Sequence, residues 1–427
     1  MSHSIAIVGS GPSGFYALDG LLRALPGVRV DVFDRLPTPY GLVRFGVAPD
    51  HQGTKAVARQ FERLAQKPGV RFLGNVEIGR DVSLAELRRH YDAVVLATGA
   101  ANDRRLGIAG EDLPGVHGSW SVVGWYNGHP DFAALDFRLP GPGVAVIGNG
   151  NVAIDLVRVL GKTEEEMAAS DLCPSAAAVI QAAPLTDIWM IGRRGPVEAS
   201  FTSAELSELG SLARVVPVIE GAELPAASGA SDPAVAEVKD RNLEILRGFV
   251  ANVAGSKPIT LHLLFNATPV AFQGDGRLER LALRNGRDGR EWTIPVQTAI
   301  TAIGYRSAPL EGAPFDAGRG LFENHDGRVG ERLYVVGWAK RGPSGVIATN
   351  RTDSLAVVER VVADLRGHQP AGVPASVDSL LAQRGVEAID FPGWQRIDRF
   401  ETNAPDKGAS PRRKIQNLQD LVVAARG

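Results

Sequence analysis

The sequence predicts an α/β fold with two parallel-sheet units, on the basis of two glycine motifs and an alternation of strand and helix patterns. The first motif, IAIVGSGPSG, contains Gly9, Gly11 and Gly14, and the second motif, VAVIGNGNVA, contains Gly148 and Gly150. Each motif follows an apolar strand pattern and opens a predicted helix, and this context makes a glycine motif specific. Such glycines allow a tight turn that brings the backbone close to a pyrophosphate at the helix N-terminus. We therefore predict two Rossmann-like dinucleotide-binding domains.

The residues after each motif distinguish the two nucleotides. After the first motif, the predicted strand VRVDVF ends at Asp34, where a carboxylate accepts hydrogen bonds from ribose hydroxyls. After the second motif, the predicted strand DIWMIG leads into Arg193 and Arg194, whose guanidinium groups suit a 2′-phosphate. The first site is therefore predicted to bind FAD or NAD, and the second NADP. An alternative for the two arginines, an ordinary pair of solvent-exposed charges, stays open. Two dinucleotides in one chain suggest electron transfer between them.

The order of the predicted elements indicates that the second domain is inserted into the first. A helix is predicted at Leu84–His90, a second at Lys55–Gln66 and a third from Ser354 to Leu365. The similar strand ends VVLATGA and AITAIGY mark the joins, and short strands around an NGRDG turn predict a hairpin before the second join. The predicted FAD-binding domain comprises residues 1–106 and 299–427, with a C-terminal extension, and the NADP-binding domain comprises residues 107–298.

Composition excludes several classes of protein. The formal net charge of −2 gives no electrostatic support to a general nucleic-acid role. The single cysteine, Cys173, excludes an internal disulfide, a redox-active cysteine pair and four-cysteine iron–sulfur ligation. No apolar run reaches the roughly 18 residues that a membrane span needs, and the first residues already read as a strand rather than a signal segment. We expect a cytoplasmic protein without a membrane span.

Several long blocks resemble the adrenodoxin reductase family, the NADPH–ferredoxin reductases with a glutathione-reductase-like architecture of two dinucleotide-binding domains. The resemblance covers nearly the whole chain, and its most specific blocks are LPTPYGLVRFGVAPDH, GNVEIGRDV, VVGWYNG, GNGNVAIDLVRVL, GRRGPVEASFTSAEL and GWAKRGPSGVIATNRTDS. Asp34 departs from the family pattern, because the family usually has a longer glutamate at this position. The resemblance implies FAD and NADP(H) as the cofactors.

The resemblance also assigns site residues. The predicted FAD contacts are Gly9, Gly11, Ser13, Gly14, Asp34, Leu42, Val76, Trp338, Gly345, Val346 and Ile347. The predicted NADP contacts are Arg104, Asn149, Gly150, Asn151, Val152, Arg193, Arg194, Glu205 and Gly345, with Glu205 beside the arginines at the 2′-phosphoadenosine end. His51 is expected to line the active face of the flavin and is the candidate catalytic residue, although it also fits a purely structural histidine. Trp338 fits either a flavin contact or a core aromatic residue.

The implied function is hydride transfer from NADPH to FAD, followed by single-electron transfer to a small acidic iron–sulfur ferredoxin. The implied docking residues are Lys239, Arg241 and Arg247, and a C-terminal basic run from Arg412 to Lys414 (Arg412, Arg413 and Lys414) is a weaker candidate. One alternative is an NADPH oxidase, or diaphorase, or a flavin monooxygenase that needs no ferredoxin. Another alternative is a non-catalytic flavin-dependent sensor or subunit.

Overall fold

The computed structural model describes residues 2–220, 223–345, 347–367 and 377–427, and two six-stranded sheets organise them. The first sheet pairs its strands in parallel except at one edge, where Arg328–Gly330 runs antiparallel to its neighbour. Its strands, in spatial order, are Arg328–Gly330, Leu333–Val335, Ala93–Leu96, Ser4–Val8, Arg29–Phe33 and Val70–Leu73.

Helices cover both faces of the first sheet, which explains why its central strands are apolar at nearly every position. The helix after the first glycine motif, Pro12–Ala24, packs on Ile347–Leu365, and a Cβ at Gly20 would lie 2.9 Å from Leu355. The helices of this unit are Pro12–Ala24, Leu42–Phe45, Gln52–Lys55, Ala58–Ala65, Leu84–His90, Trp338–Arg341, Ile347–Leu365, Val377–Gln383, Phe391–Thr402 and Leu418–Arg426.

The second sheet is parallel throughout. Its strands, in spatial order, are Val116–Gly118, Thr298–Thr301, Gly143–Ile147, Asp187–Ile191, Ile259–Leu264 and Val215–Glu220. The helices of this unit are Ser119–Tyr126, Asn151–Gly161, Glu164–Met167, Pro174–Gln181, Ser203–Glu208 and Pro233–Val250, with short 3₁₀ turns at Pro130–Phe132 and Pro196–Glu198.

An antiparallel sheet packs over one face of the second sheet and shares a core with it. Its three strands are Ala267–Gln273, Arg280–Asn285 and Glu291–Pro295. The last two strands are joined through the NGRDG segment, so the predicted hairpin is confirmed. Two short ribbons complete the strands, Asn102–Asp103 with Tyr305–Arg306 and Phe315–Asp316 with Leu321–Phe322.

The strand predicted at the second join lies in the other sheet. Thr298–Thr301 pairs in parallel with both Val116–Gly118 and Gly143–Ile147, so the chain has not yet returned to the first sheet at residue 299. The returning chain pairs with the outgoing chain at Tyr305–Arg306, and the next strand in the first sheet is Arg328–Gly330. An apolar strand fits either sheet equally well, and this explains the wrong placement. The division into two domains stays a prediction, with the sheet change after residue 301.

The predicted helices are mostly confirmed, with shifted ends. Leu84–His90 is confirmed at both ends, and Ser83 and Glu86 form a capping box at its start. The helix predicted at residues 55–66 divides into Gln52–Lys55 and Ala58–Ala65, and the helix predicted from Ser354 already begins at Ile347. Within the described residues, no helix is both long and apolar enough to cross a membrane.

Candidate functional site

The first glycine turn leaves room only where a phosphate would lie. Gly9 has a φ of +109°, and a Cβ there would lie 2.3 Å from the carbonyl oxygen of Ala97. A Cβ at Gly14 would lie 2.1 Å from the carbonyl oxygen of Gly9. A Cβ at Gly11, in contrast, meets no atom within 4 Å, so the N-terminus of Pro12–Ala24 opens onto free space. The turn therefore fits the pyrophosphate of a dinucleotide.

Asp34 lies beside this turn, at the carboxyl end of Arg29–Phe33. Its Oδ2 accepts hydrogen bonds from the amide and the hydroxyl of Ser10, and its Oδ1 accepts one from the Leu36 amide at 3.0 Å. Each carboxylate oxygen has two lone pairs, so Oδ1 retains the capacity for one ribose hydroxyl. The amide of Val76 donates to the carbonyl oxygen of Asp34 at 2.9 Å, which brings these two predicted FAD residues together.

Ser13 joins the first motif to the C-terminal block, GWAKRGPSGVIATNRTDS, whose predicted ligand is the flavin. A Cβ at Gly337, whose φ is +69°, would lie 2.0 Å from Ser13 Oγ, and Ser354 Oγ donates to the Ser13 carbonyl oxygen at 3.1 Å. Trp338 follows Gly337 and is half-buried, and its Nε1 donates to the Ser344 carbonyl oxygen at 3.2 Å. Gly345 has a φ of +78° and Ile347 begins a helix, whereas Val346 lies outside the described residues.

The second glycine turn has the same construction. Gly148 has a φ of +145°, and a Cβ there would lie 2.3 Å from the carbonyl oxygen of Ala302. Gly150 caps the helix Asn151–Gly161, and the nearest atom to a Cβ on Gly150 is Ser200 Oγ at 3.0 Å. The loop that follows the two arginines is tied to this turn, because Asn149 O accepts from the Ser200 amide at 2.8 Å and Asn151 Oδ1 accepts from the Thr202 amide at 2.9 Å.

Arg193 and Arg194 line an open cleft of about 580 Å³ beyond the end of Asp187–Ile191. The cleft continues along Pro196 and Val197 to Leu224 and Pro225, and its other lining residues are Gly195, Glu198, Glu223, Asn266, Gly286 and Arg287. Glu205 does not line this cleft, and its predicted position beside the two arginines at the 2′-phosphoadenosine end stays a prediction. Its carboxylate is directed instead toward Arg158, whose Nη1 donates to it at 3.0 Å.

Residues from both predicted nucleotide sites meet at one apolar cluster. Leu42 and Trp338 from the FAD side and Val152 from the NADP side all pack against the buried cluster of Ala100, Trp120 and Tyr305. The ring centroids of Tyr305 and Trp338 lie 6.1 Å apart, and those of Trp120 and Tyr305 lie 6.3 Å apart. Two predicted nucleotide sites whose residues share one apolar cluster suit direct transfer between two bound dinucleotides.

A charged cluster around Arg158 lies next to this meeting point. The Arg158 side chain is fully buried and contacts carboxylates from both units: Nε lies 2.7 Å from Asp50, Nη1 lies 3.0 Å from Glu205, and Nη2 lies 2.7 Å from Asp155. Burial raises the pKa of Asp50, but hydrogen bonds from Arg158 and Lys162 outweigh it and hold this pKa well below its ordinary value. Burial raises the pKa of Asp155 to about 6, because the attraction of Arg158 offsets only part of the desolvation.

His51 and Arg104 have different partners in the structure. The His51 ring lies 3.8 Å from a Glu205 oxygen through Nδ1 and 3.7 Å from a Glu208 oxygen through Nε2. A chemical role and a structural role both remain open for His51. Arg104 donates to the Tyr305 carbonyl oxygen at 3.2 Å and to the Arg319 carbonyl oxygen at 3.0 Å, so it holds the ribbon between the two units.

Lys414 of the C-terminal basic run is buried and cannot be part of a free surface patch, which corrects its place among the docking candidates. Lys414 is buried and lies 2.9 Å from Asp171, and Arg412 lies 2.7 Å from Asp398. Arg413 pairs with Asp406 at 2.5 Å. Each of the three cations is therefore engaged by a carboxylate of the same chain.

Four residues of this region are not among the site residues predicted from the sequence: Arg158, Asp155, Tyr305 and Arg287. Arg158 and Asp155 were visible as two charges three residues apart in the otherwise apolar helix sequence NVAIDLVRVLG, which is a signal for a buried ion pair. Arg287 sits in the NGRDG segment, which was interpreted only as turn chemistry. Tyr305 carried no recognisable signal.

The two turns, their parallel sheets and the shared apolar cluster define a flavoprotein with two dinucleotide-binding domains, and such a protein binds FAD and NADP(H). The chain belongs to the adrenodoxin-reductase family of NADPH–ferredoxin reductases. It is 38% identical over 450 residues to NADPH-ferredoxin reductase FprA of Mycobacterium leprae, covering 100% of this chain and 99% of the relative.

Three further comparisons agree with this family. The mitochondrial NADPH:adrenodoxin oxidoreductase of Arabidopsis thaliana is 37% identical over 462 residues, covering 99% of this chain and 95% of the relative. The solved structure of Mycobacterium tuberculosis FprA in complex with NADPH superposes with a TM-score of 0.94 at 37% identity, with each chain covered at 100%. The family model described as pyridine nucleotide-disulphide oxidoreductase matches residues 3–184. With Cys173 as its one cysteine, this chain has no cysteine pair for disulphide chemistry.

Proposed function

We propose that this protein is an NADPH–ferredoxin reductase that oxidises NADPH and reduces a small iron–sulfur ferredoxin. The observation that carries the proposal is the apolar cluster against which Leu42, Trp338 and Val152 all pack, because direct hydride transfer requires the two cofactor sites to adjoin. When bound, the flavin supplies the chemistry that takes a hydride from NADPH and releases single electrons. A single cysteine excludes an exit route through a dithiol, so an external one-electron acceptor is the simplest outlet.

The protein's own residues would bind and orient the cofactors. We assign the two pyrophosphates to the helix N-termini at Gly11 and Gly150, where backbone amides and the helix dipole favour negative charge. We assign the ribose of FAD to Asp34, and the 2′-phosphate of NADP to Arg193 and Arg194. His51, held near carboxylates of the second unit, would lie at the boundary between the two sites.

We further propose that the ferredoxin docks near the helix Pro233–Val250, which carries Lys239, Arg241 and Arg247 and packs against Ser203–Glu208. Arg241 is exposed and lies 2.8 Å from Glu244, so an incoming acidic partner would compete with a weak exposed ion pair. Arg247 donates to the carbonyl oxygens of Pro225 and Ala226, the latter at 2.8 Å, which also supports the wall of the NADP cleft.

Two activities separate docking from cofactor chemistry. Ferredoxin-linked reduction of cytochrome c should fall steeply with added salt, because exposed charges more than about 8–10 Å apart are screened near physiological ionic strength. Arg241→Glu should lower this activity while leaving NADPH-dependent ferricyanide reduction and the flavin spectrum unchanged. Arg280→Glu, an exposed change on the antiparallel sheet, is the control. An equal loss of both activities in Arg241→Glu, or of neither, rejects the docking assignment.

The proposed function itself is tested by titrating the purified protein with NADPH and a panel of ferredoxins. We expect bleaching of the flavin absorbance by NADPH and a ferredoxin-dependent rate well above the rate of oxygen consumption. Equal rates with and without ferredoxin, accompanied by peroxide, would indicate an NADPH oxidase instead. Negligible NADPH turnover with every acceptor would indicate a non-catalytic flavoprotein. The single cysteine fits a reducing compartment, and we propose a cytoplasmic location on that basis.

A further inference from the structure

We propose that Arg287 is a third cation of the NADP 2′-phosphate site, supplied by the hairpin turn of the antiparallel sheet rather than by the strand end that carries Arg193 and Arg194. The inference rests on the proposed nucleotide assignment and extends it to a residue outside the glycine motif and the arginine pair. It makes Arg287 a residue that determines the preference of the enzyme for the phosphorylated nucleotide.

The backbone fixes this turn against the arginine pair. The amide of Asn266 donates to the Arg194 carbonyl oxygen at 2.9 Å, and the amide of Gly286 donates to the Asn266 carbonyl oxygen at 2.7 Å. A Cβ at Gly286 would lie 3.9 Å from the carbonyl oxygen of Arg193. Arg287 follows directly and lines the same cleft of about 580 Å³. Two consecutive hydrogen bonds therefore place the turn at the mouth of the cleft.

Arg287 decides whether the formal net charge of the residues that line the cleft is positive or zero. The charged residues that line the cleft are three arginines, Arg193, Arg194 and Arg287, and two glutamates, Glu198 and Glu223. This balance leaves one net positive charge, whereas the arginine pair alone would leave the cleft formally neutral. A 2′-phosphate carries a charge of about −1.5 to −2 at neutral pH, so a neutral cleft would attract it weakly.

The donors of Arg287 are also available. Among the described residues, no carboxylate lies within ion-pair distance of Arg287, and its side chain has no hydrogen-bond acceptor there. The neighbouring cations on the same hairpin are engaged: Arg284 lies 2.7 Å from Glu291, and Arg290 lies 5.8 Å from the centroid of the Trp292 ring. Only Arg287 of these three lines the cleft, so the hairpin contributes one unengaged guanidinium to it.

Calorimetric binding of two nucleotide fragments tests the inference without relying on turnover. Adenosine 2′,5′-bisphosphate contains the 2′-phosphate, and 5′-AMP lacks it. In Arg287→Ala, the Kd for the bisphosphate should rise about tenfold, which is the expected loss for one charge-assisted contact, while the Kd for 5′-AMP stays the same. The bisphosphate Kd should also become less dependent on salt. Arg290→Ala, from the same turn but outside the cleft, is the matched control and should leave both constants unchanged.

The outcomes separate this inference from the assignment on which it rests. If Arg287→Ala leaves the bisphosphate Kd unchanged while the change of both Arg193 and Arg194 to alanine raises it, Arg287 is no ligand and the nucleotide site stands. If Arg287→Ala weakens both fragments equally, its role is structural and the inference fails. If the unmodified holoenzyme shows no preference for the bisphosphate over 5′-AMP, the nucleotide assignment and the inference fail together.

Discussion

Arg158 donates two hydrogen bonds to the carboxylate of Asp50, at 2.7 Å and 3.1 Å, and this ion pair joins the second glycine-motif helix to the segment that precedes His51. The guanidinium is fully buried and also contacts Asp155 and Glu205. The contacts involve both units of the chain. The Arg158–Asp50 pair therefore holds the helix Asn151–Gly161 of the second unit in place against the segment of the first unit that contains Asp50. A buried cation with several carboxylate partners contributes little net stability by itself, but losing it leaves those carboxylates uncompensated.

We therefore expect Arg158→Ala to lower the free energy of unfolding by about 3–5 kcal/mol, because Asp50 would stay buried without its main partner. Urea unfolding of the holoenzyme measures this loss. Arg138→Ala removes an exposed pair with Asp136 and serves as the control, with an expected loss of at most about 1 kcal/mol. A loss for Arg158→Ala no larger than that of the control would contradict the central role of this ion pair.

The first glycine turn predicts opposite outcomes for two similar substitutions. Gly11→Val introduces a side chain into open space at a φ of −76°, so the chain should fold but the pyrophosphate should be excluded. Gly14→Val places a side chain against the Gly9 carbonyl oxygen, 2.1 Å from the Cβ position, and should destabilise the fold itself. Circular dichroism and the flavin content after acid precipitation distinguish the two. A yellow, fully loaded Gly11→Val protein would place the FAD pyrophosphate elsewhere.

Replacing both Arg193 and Arg194 by alanine should raise the KM for NADPH by at least an order of magnitude. Each charge-assisted contact contributes about 1.5–3 kcal/mol, and both residues line the cleft. NADH kinetics should barely change, because NADH lacks the 2′-phosphate. Steady-state ferricyanide reduction with each nucleotide measures the difference. If the double variant loses NADH and NADPH activity in the same proportion, these arginines do not recognise the 2′-phosphate.

The local features of the fold were predictable from the sequence, and the long-range ones were not. The turns at Gly9 and Gly148 depend on a few consecutive residues whose positive φ and close contacts only glycine satisfies. The strand Thr298–Thr301 pairs in the second sheet and not in the predicted first sheet, because a strand's apolar pattern indicates burial but not which strands lie beside it. The Arg158 cluster draws on separate segments, so its members are brought together only by the tertiary fold.

The basic C-terminal run illustrates the same limit. Arg412, Arg413 and Lys414 look like a surface patch in the sequence, since three consecutive cations are usually solvated. In the structure Lys414 is buried beside Asp171, which also forms an ion pair with Lys55 of the first unit. Because these partners are far apart in the sequence, the sequence does not reveal that two cations are buried around one carboxylate. This arrangement affects how the free energy of unfolding depends on pH.

Lys55 is predicted to make the stability of the protein depend on pH above neutrality. Its Nζ lies 2.6 Å from Asp171, which also pairs with Lys414 at 2.9 Å. Burial, and then the positive charge of Lys414, lower the pKa of Lys55 from 10.5 to about 7, although Asp171 opposes the shift. Between these two pH values the unfolded chain binds a proton that the folded chain has released. The free energy of unfolding should therefore rise with pH across this window, by up to about 1.4 kcal/mol per pH unit.

Lys55→Met should remove this contribution, because methionine keeps an apolar stem of similar length and leaves Asp171 paired with Lys414. Urea unfolding of the holoenzyme from about pH 6.5 to about 9.5 covers most of this window. It compares the dependence of the unfolding free energy on pH in the unmodified protein and in the variant. The difference between unmodified protein and variant should grow steadily with pH in favour of the unmodified protein. Lys67→Met changes an exposed lysine and should reproduce the unmodified slope. Parallel curves for the unmodified protein and Lys55→Met would show that Lys55 stays protonated in the folded state, and that the Asp171 contact outweighs burial and the charge of Lys414.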